Sequence, residues 1–244
     1  MAKHFNIADL FEMVADKVPT RSALVCGEQR ATFAELDQRA NRLAHYLASR
    51  GVGAGDHVGL YLYNCNEYLE GMLACFKLRA VPINVNYRYV KDELLYIFDN
   101  ADMVACIHHQ EFSPHIAEVR DSAPDLKTFI HVTDDSGADP AVIDSIEYEA
   151  SMDGQSDGRD FGERADDDLF LLYTGGTTGM PKGVMWPHKN LFYAALGGGG
   201  WFHPDGAITE PEQIAGRIGD FPIVGMALAP LMHGACWWYA IIQM

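Results

Sequence analysis

The stretch "LLYTGGTTGMPKGVMWPH", Leu171 to His188, decides how this sequence is interpreted. It begins inside a short apolar run, Leu169–Tyr173, which has no helical span of its own and is typical of a buried strand. The glycines that follow let backbone N–H groups approach a ligand closely, and the threonines add hydroxyl donors. Lys182 then supplies a point charge suited to phosphate. The stretch therefore predicts an anion cradle directly after a buried strand.

This cradle differs from the common phosphate-binding loop. That loop has a glycine immediately before its lysine and a serine or threonine after it, whereas Met180 and Pro181 precede Lys182 and Gly183 follows it. Pro181 also favours an extended Met180. A glycine-threonine cluster can be a simple turn, which is the alternative interpretation. The residues predicted to bind phosphate, within a loop at 173–183, are Thr174, Gly175, Gly176, Thr177, Thr178, Gly179 and Lys182.

The segment "YTGGTTGMPKGV" resembles the signature of adenylate-forming (AMP-binding) enzymes, which include acyl-CoA synthetases, luciferases and peptide-synthetase adenylation domains. Three other segments resemble family motifs in the same order, and the likeness covers essentially the whole chain. They are "ATFAELDQRANRLAHYL" (Ala31–Leu47), "FKLRAVPINVNYRYVKDEL" (Phe76–Leu94) and "APLMHGACWW" (Ala229–Trp238). The amino-acid sequence of these segments most resembles that of bacterial long-chain and steroid-side-chain acyl-CoA synthetases. Two departures are Gly175, where many relatives have serine, and Arg79, where many have glycine.

The resemblance implies a two-step, ATP-dependent reaction. A fatty or steroid carboxylate attacks the α-phosphorus of ATP, and the thiol of coenzyme A then displaces AMP from the acyl-adenylate. Lys182 and His233 are the implied catalytic residues, and the Thr174 hydroxyl is the implied contact for Mg²⁺. A histidine beside apolar residues can equally be a core group. Trp201, Trp237 and Trp238 can likewise be either core residues or part of the lining of an acyl pocket.

The resemblance also implies that residues 1–244 are the N-terminal portion of the large adenylate-forming domain. The later motifs and the small C-terminal domain of the family have no place in the sequence, so we expect a truncated chain that is inactive by itself. A non-catalytic remnant, or an adenylate-forming enzyme with a different acceptor, are the alternatives.

Alternating strand and helix patterns predict an α/β fold with a mostly parallel sheet flanked by helices. Thr32 and Glu35 form a capping-box pattern for the first motif helix, and Gly51 is placed to end it. Asn66 is a candidate cap for the next helix. The other predicted strands are 57–63, 81–85, 103–107 and 128–132, and the other predicted helices are 91–100, one near 114–119, a short one at 210–218, and one whose start is near His188.

Charge is distributed unevenly. Segment 132–168 carries 13 of the 34 acidic residues and only two arginines, so it is predicted to be a solvated connection before the phosphate loop. The sequence contains no basic footprint for nucleic acid. The family resemblance implies that the partners are the small-molecule substrates, a carboxylic acid, ATP and CoA, and a homo-oligomer is left open.

Five scattered cysteines without CxxC spacing indicate free thiols in a reducing cytoplasm. The uncharged segment 221–244 is long enough to span a bilayer if it were wholly helical. Pro230 and the glycines near its middle favour another interpretation: a buried strand at Ile223–Leu228, a turn, and a helix that begins near His233. We therefore expect no transmembrane span.

Overall fold

The computed structural model describes residues 3–176, 179–200, 203–220 and 224–243. Nine strands and eight α-helices lie within these residues. The strands are β1 (Ser22–Cys26), β2 (Gln29–Thr32), β3 (His57–Tyr61), β4 (Val81–Asn84), β5 (Met103–His109), β6 (Thr128–Val132), β7 (Ile146–Glu147), β8 (Leu169–Gly176) and β9 (Gly179–Pro187). The helices are α1 (Ile7–Lys17), α2 (Phe33–Ser49), α3 (Asn66–Leu78), α4 (Lys91–Asn100), α5 (Ser113–Ala117), α6 (Tyr148–Met152), α7 (His188–Ala194) and α8 (Gly234–Gln243).

Seven strands form one sheet in the order β7-β6-β5-β3-β4-β8-β9. All neighbours in it are parallel except β8 and β9, which are antiparallel. Strands β1 and β2 form a separate hairpin. The predicted α/β fold with a mostly parallel sheet is confirmed, and the carboxyl ends of β3, β4 and β8 meet at one edge, where such sheets bind ligands.

Helices cover both faces of the large sheet, which explains its nearly continuous apolar strands. One core contains Leu94, Ile97 and Phe98 of α4 together with Leu171 and Tyr173 of β8. The core on the other face holds residues of α2, α3, α7 and α8 against Phe170 and Leu172. Alternate residues of β8 therefore enter opposite cores, as the two-residue period of a strand requires.

Helix α2 begins as its sequence predicts. Thr32 Oγ1 accepts a hydrogen bond from the Glu35 N–H at 3.2 Å, and Glu35 Oε2 accepts one from the Thr32 N–H at 2.8 Å. The helix ends at Ser49, and Gly51 follows with φ +90°. Both residues of the cap lie close together in sequence, so the sequence pattern alone is enough to predict where the helix begins.

The predicted cap of α3 was wrong by one residue. Asn66 is the first helical residue, and Cys65 precedes it without a side-chain capping bond. The Asn66 amide instead donates to Gln29 Oε1 at 3.2 Å. A tertiary contact to β2 thus takes the side chain that a local pattern would assign to the cap.

The acidic segment 132–168 is only partly the solvated connection that its composition predicts. It contains β7, α6 and a 3₁₀ turn at Pro140–Ile143. Arg164 and Asp168 are buried, and the Arg164 guanidinium donates to Asp9 at 2.5 Å and to Glu12 at 2.8 Å. The C-terminal end of this segment is therefore buried, and it forms ion pairs with helix α1.

The predicted buried strand at Ile223–Leu228 is wrong over its described residues. Residues 224–228 have no regular structure, and Val224, Met226 and Leu228 are exposed. An apolar run becomes a strand only where a neighbouring strand accepts its hydrogen bonds, and none does so here in the described part. The predicted short helix is a 3₁₀ helix at Pro211–Arg217, and α8 begins one residue after His233. Within the ranges that the structure describes, no helix reaches the length and apolarity needed to cross a membrane.

Candidate phosphate site on the β8–β9 hairpin

The stretch predicted to be a loop after a strand is a β-hairpin. Strand β8 continues to Gly176, and β9 returns antiparallel from Gly179. Thr174 of β8 lies directly opposite Lys182 of β9 in the pairing register. The sequence identified these two residues but missed the strand that places them side by side. Thr177 and Thr178 lie outside the described residues.

Thr174 and Lys182 occupy the same face of the sheet. Residues directly opposite each other in an antiparallel pair share a face, and residues two apart on one strand do so too. Thr174 therefore lies on the face of Leu172 and Phe170, which is the face covered by helix α8. Both Thr174 and Lys182 are exposed, and Lys182 takes part in none of the ion pairs found among the described residues. A hydroxyl and an ammonium group are thus presented together.

Packing on the opposite side of the hairpin fixes the backbone that carries Lys182. The Tyr96 hydroxyl, from α4, donates to the Pro181 carbonyl at 2.7 Å. Gly183 lies opposite Tyr173, and a Cβ added there would be 2.8 Å from Leu171 Cδ2. Only a residue without a side chain fits at that position without displacing the core.

His233 lies at the same edge of the sheet. It is exposed and immediately precedes helix α8, whose first residue, Gly234, packs so closely on Leu172 that any side chain would clash. Because Leu172 is two residues before Thr174 on the same face, the structure brings the His233 segment next to the base of the hairpin. Thr174, Lys182 and His233 therefore lie on one face at the carboxyl edge, although 51 positions separate Lys182 from His233 in sequence.

Two asparagines outside the predicted site residues hold the segment before His233. Asn64 donates to the Ala229 carbonyl at 2.9 Å and accepts from the Leu231 N–H at 2.7 Å. Asn84 donates to the Met232 carbonyl at 2.8 Å. Each asparagine lies at or just beyond the carboxyl end of a central parallel strand. That position, an amide after a buried run, is the sequence signal that could have identified them.

His188, just after the hairpin, is a structural residue at the start of a helix, where the sequence predicts one. It is the first residue of α7, is 1% exposed, and its Nδ1 accepts the Ile7 N–H at 3.2 Å. Burial lowers the pKa of His188 to about 4, which keeps the imidazole neutral. Its ring meets that of Phe76 edge to face, with centroids 4.6 Å apart.

Trp237 is a core residue. Its indole stacks on Phe170 at a centroid distance of 4.3 Å and is 1% exposed. A cavity of about 10 Å³ beside it is lined by Leu172 and Asn84 among others, which is room for about one water and none for an acyl tail. Trp238 is half-buried against Trp186, and Trp201 lies outside the described residues.

A family model described as AMP-binding enzyme matches residues 11–243. The chain belongs to the AMP-binding enzyme family. This AMP-binding chain is 47% identical over 234 residues to the 3-oxocholest-4-en-26-oate–CoA ligase of Rhodococcus rhodochrous, covering 96% of the chain and 42% of that relative. It is 42% identical over 239 residues to a medium/long-chain-fatty-acid–CoA/3-oxocholest-4-en-26-oate–CoA ligase of Mycobacterium marinum, covering 96% of the chain and 44% of the relative.

The fold of the AMP-binding chain is similar to that of the inhibitor-bound N-terminal domain of FACL13 from Mycobacterium tuberculosis. The TM-score is 0.73 at 23% sequence identity, and the likeness covers 97% of this chain and 54% of that one. The AMP-binding chain thus spans less than half the length of the two curated relatives.

Proposed function

We propose that this chain carries the ATP-phosphate site of an AMP-forming acid–thiol ligase that acts on a long-chain fatty or steroid carboxylic acid. The observation that supports it is the pairing of Thr174 with Lys182 on one exposed face at the carboxyl edge of the parallel sheet. The substrate class rests on the names of the two relatives, which are ligases for 3-oxocholest-4-en-26-oate or for fatty acids.

The reaction needs stabilisation of charge on a departing pyrophosphate. The substrate carboxylate forms a bond to the α-phosphorus of ATP, and the bond from that phosphorus to the pyrophosphate oxygen breaks. The CoA thiol then loses its proton and bonds to the acyl carbon as AMP leaves. Lys182 and Thr174 would contact the β- and γ-phosphates, because an ammonium and a hydroxyl held on fixed strands stabilise developing charge without reorganising.

The glycines of the hairpin extend this cradle. Gly175 has no described atom within 4 Å of where its Cβ would be, so a phosphate could approach the backbone closely there. With Gly176, Thr177, Thr178 and Gly179 it completes the proposed phosphate loop within 173–183. His233, at the start of α8, would contact the acyl-adenylate on the same face.

The residues present also suit Mg²⁺ bound together with ATP. The Thr174 hydroxyl is a hard oxygen donor that is free of intramolecular hydrogen bonds among the described residues, and Mg²⁺ usually takes few protein ligands beside phosphate oxygens. When bound, the ion would neutralise phosphate charge. The protein's own part is to hold Thr174 and Lys182 at a fixed separation across the hairpin.

The decisive experiment measures products. We would assay the 244-residue chain and a chimera that joins it to the part of the Rhodococcus rhodochrous relative not covered by the match. Incubation with ATP, Mg²⁺, CoA and either palmitate or 3-oxocholest-4-en-26-oate should give AMP, pyrophosphate and the acyl-CoA in the chimera. Release of ADP and phosphate would refute the proposal, as would pyrophosphate exchange that is independent of the acid.

A further inference from the structure

The amide of Asn84 continues the β4–β8 pairing where the backbone stops. The two parallel strands have one registered pair, Ile83 with Leu171. Beyond it, Asn84 Oδ1 accepts from the Tyr173 N–H at 2.9 Å, and Asn84 Nδ2 donates to the Tyr173 carbonyl at 3.2 Å. A side-chain amide thus satisfies both backbone groups of Tyr173, as a neighbouring strand would.

The same amide reaches a second segment. The remaining hydrogen of Asn84 Nδ2 is donated to the Met232 carbonyl at 2.8 Å. Tyr173 immediately precedes Thr174, and Met232 immediately precedes His233. One side chain therefore binds the backbone on the N-terminal side of both candidate site residues, across sequence separations of 89 and 148 positions.

Asn64 differs from Asn84 in the chain segments that its amide binds. Its amide bonds Ala229 and Leu231, and it makes no hydrogen bond to β8 among the described residues. It holds the segment before α8 in shape without binding the strand that carries Thr174. Trp237 packs on Phe170 of β8, but among the side-chain hydrogen bonds in the described part of the chain, those of Asn84 join β8 to the segment before α8.

We propose that Asn84 is a positioning residue that sets the placement of the phosphate hairpin relative to His233. The catalytic part of this statement rests on the proposed function. The structural part, that one amide couples two chain segments, does not depend on it. The two parts are therefore tested separately.

The structural test is hydrogen–deuterium exchange of the 244-residue chain, followed in peptides covering 169–176 and 229–236. Asn84→Ala removes all three hydrogen bonds, and Asn84→Asp keeps the acceptor for Tyr173 while turning a carboxylate oxygen towards two carbonyls. Both variants should increase exchange about tenfold in both peptides, the factor expected for losing about one hydrogen bond. Asn64→Ala should increase exchange in the second peptide alone. If Asn84→Ala increases exchange only in 169–176, the coupling does not exist.

The functional test measures acid-dependent ATP–pyrophosphate exchange in the chimera. Asn84→Asp should lower kcat about a hundredfold while changing the KM for ATP little, because a displacement of about 1 Å between reacting groups has that effect on orientation. Asn100→Ala is the matched control: the Tyr173 hydroxyl bonds both the side chain and the backbone carbonyl of Asn100, so the tyrosine keeps a partner. A variant with normal kcat and a lowered Tm would show that Asn84 is merely structural. An unsubstituted chimera without exchange would refute the proposed function and leave hydrogen exchange to decide on Asn84.

Discussion

Arg79, at the end of α3, donates a hydrogen bond from Nε to Oδ1 of Asp168, the residue before β8, at 2.8 Å. Arg79 does so from a left-handed backbone, with φ +62° and ψ +17°, a conformation in which glycine is unstrained. A glycine at this position would suit that backbone. In this chain, an ion pair to a buried carboxylate accompanies the strained conformation.

Two substitutions at Arg79 separate these effects. Arg79→Ala removes the ion pair and keeps the strain, whereas Arg79→Gly removes both. We expect Arg79→Gly to be more stable than Arg79→Ala by about 1 kcal/mol, the usual cost of a left-handed residue with a Cβ. Urea unfolding of the two variants measures the difference. Equal stability would show that the backbone at Arg79 is not strained.

Lys77 is fully buried, and its ammonium contacts Glu12 at 2.8 Å and Asp37 at 2.7 Å. Lys77→Met would leave both carboxylates buried without that cation, and we expect it to lower the free energy of unfolding by about 3–5 kcal/mol. Lys91→Met, at an exposed position of α4, is the control and should change stability by less than about 0.5 kcal/mol. Similar effects of the two substitutions would contradict the importance of the buried cation.

The same cluster predicts a loss of stability in acid. Burial alone would raise the pKa of Glu12, but Lys77 and Arg164 outweigh it and lower the pKa from 4.5 to about 2. The unfolded chain therefore binds the proton more readily, so the stabilisation is complete above about pH 4.5 and is lost as the pH falls towards 2. In Lys77→Met the pKa of Glu12 in the folded chain should be less depressed, so the loss due to this carboxylate should be smaller and should end at a higher pH. Unfolding free energies measured across this range test the shift.

Two buried histidines are expected to affect the free energy of unfolding at higher pH than Glu12 does. Burial lowers the pKa of His108 and of His188 from 6.5 to about 4. Between these values the unfolded chain binds protons that the folded chain does not, so stability should fall as the pH drops from 6.5 to about 4. His188→Asn retains an acceptor for the Ile7 N–H and should flatten this dependence by up to one proton. An unchanged slope would show that His188 does not titrate differently in the two states.

Features whose partners are close in sequence were predictable. Thr32 and Glu35 are three residues apart and complete the cap of α2 by themselves. The apolar run at the start of β8 likewise identifies itself as a strand. Helix α4 was predicted with its observed limits, because its apolar stripe and its acidic first turn are both local.

Features that depend on distant partners were not predictable in this way. Asn66 bonds Gln29 instead of capping its helix. Arg164 is buried because it pairs with Asp9 and Glu12, which lie 155 and 152 positions away in sequence. The pairing of Lys182 with Thr174 requires the chain to reverse, which a run of glycines and threonines does not specify. Asn84 lies within the family-like segment Phe76–Leu94, but nothing local singles it out, since its role arises only where three chain segments meet.

The phosphate role of Lys182 predicts a loss of function without a loss of stability. Lys182→Ala in the chimera should lower kcat/KM for ATP about 10- to 100-fold, because hydrogen bonds to charged groups contribute about 1.5–3 kcal/mol. Its Tm should be unchanged, since the side chain is exposed. Lys127→Ala, an exposed lysine before β6 at the opposite edge of the sheet, should retain full activity. An active Lys182→Ala protein would refute the assignment.

Gly183 and Gly175 lie on the two strands of the same hairpin but differ in the space around them. A Cβ at Gly183 would be 2.8 Å from Leu171 Cδ2 and 3.1 Å from Tyr173 Cε2, whereas no described atom lies within 4 Å of a Cβ at Gly175. Gly183→Ala should therefore force β9 away from the core, at a cost of about 1–3 kcal/mol. Because Lys182 is the preceding residue, the same shift should move its ammonium away from Thr174 and lower kcat/KM for ATP in the chimera.

Gly175→Ser is the matched control for stability, because it adds a side chain at the open position of the same hairpin. Its Tm should equal that of the unsubstituted chain, because no described atom lies within 4 Å of the added Cβ. Thermal unfolding of both variants and pyrophosphate exchange of Gly183→Ala give the comparison. A Gly183→Ala protein with unchanged Tm and activity would show that the close packing behind Lys182 does not determine its position.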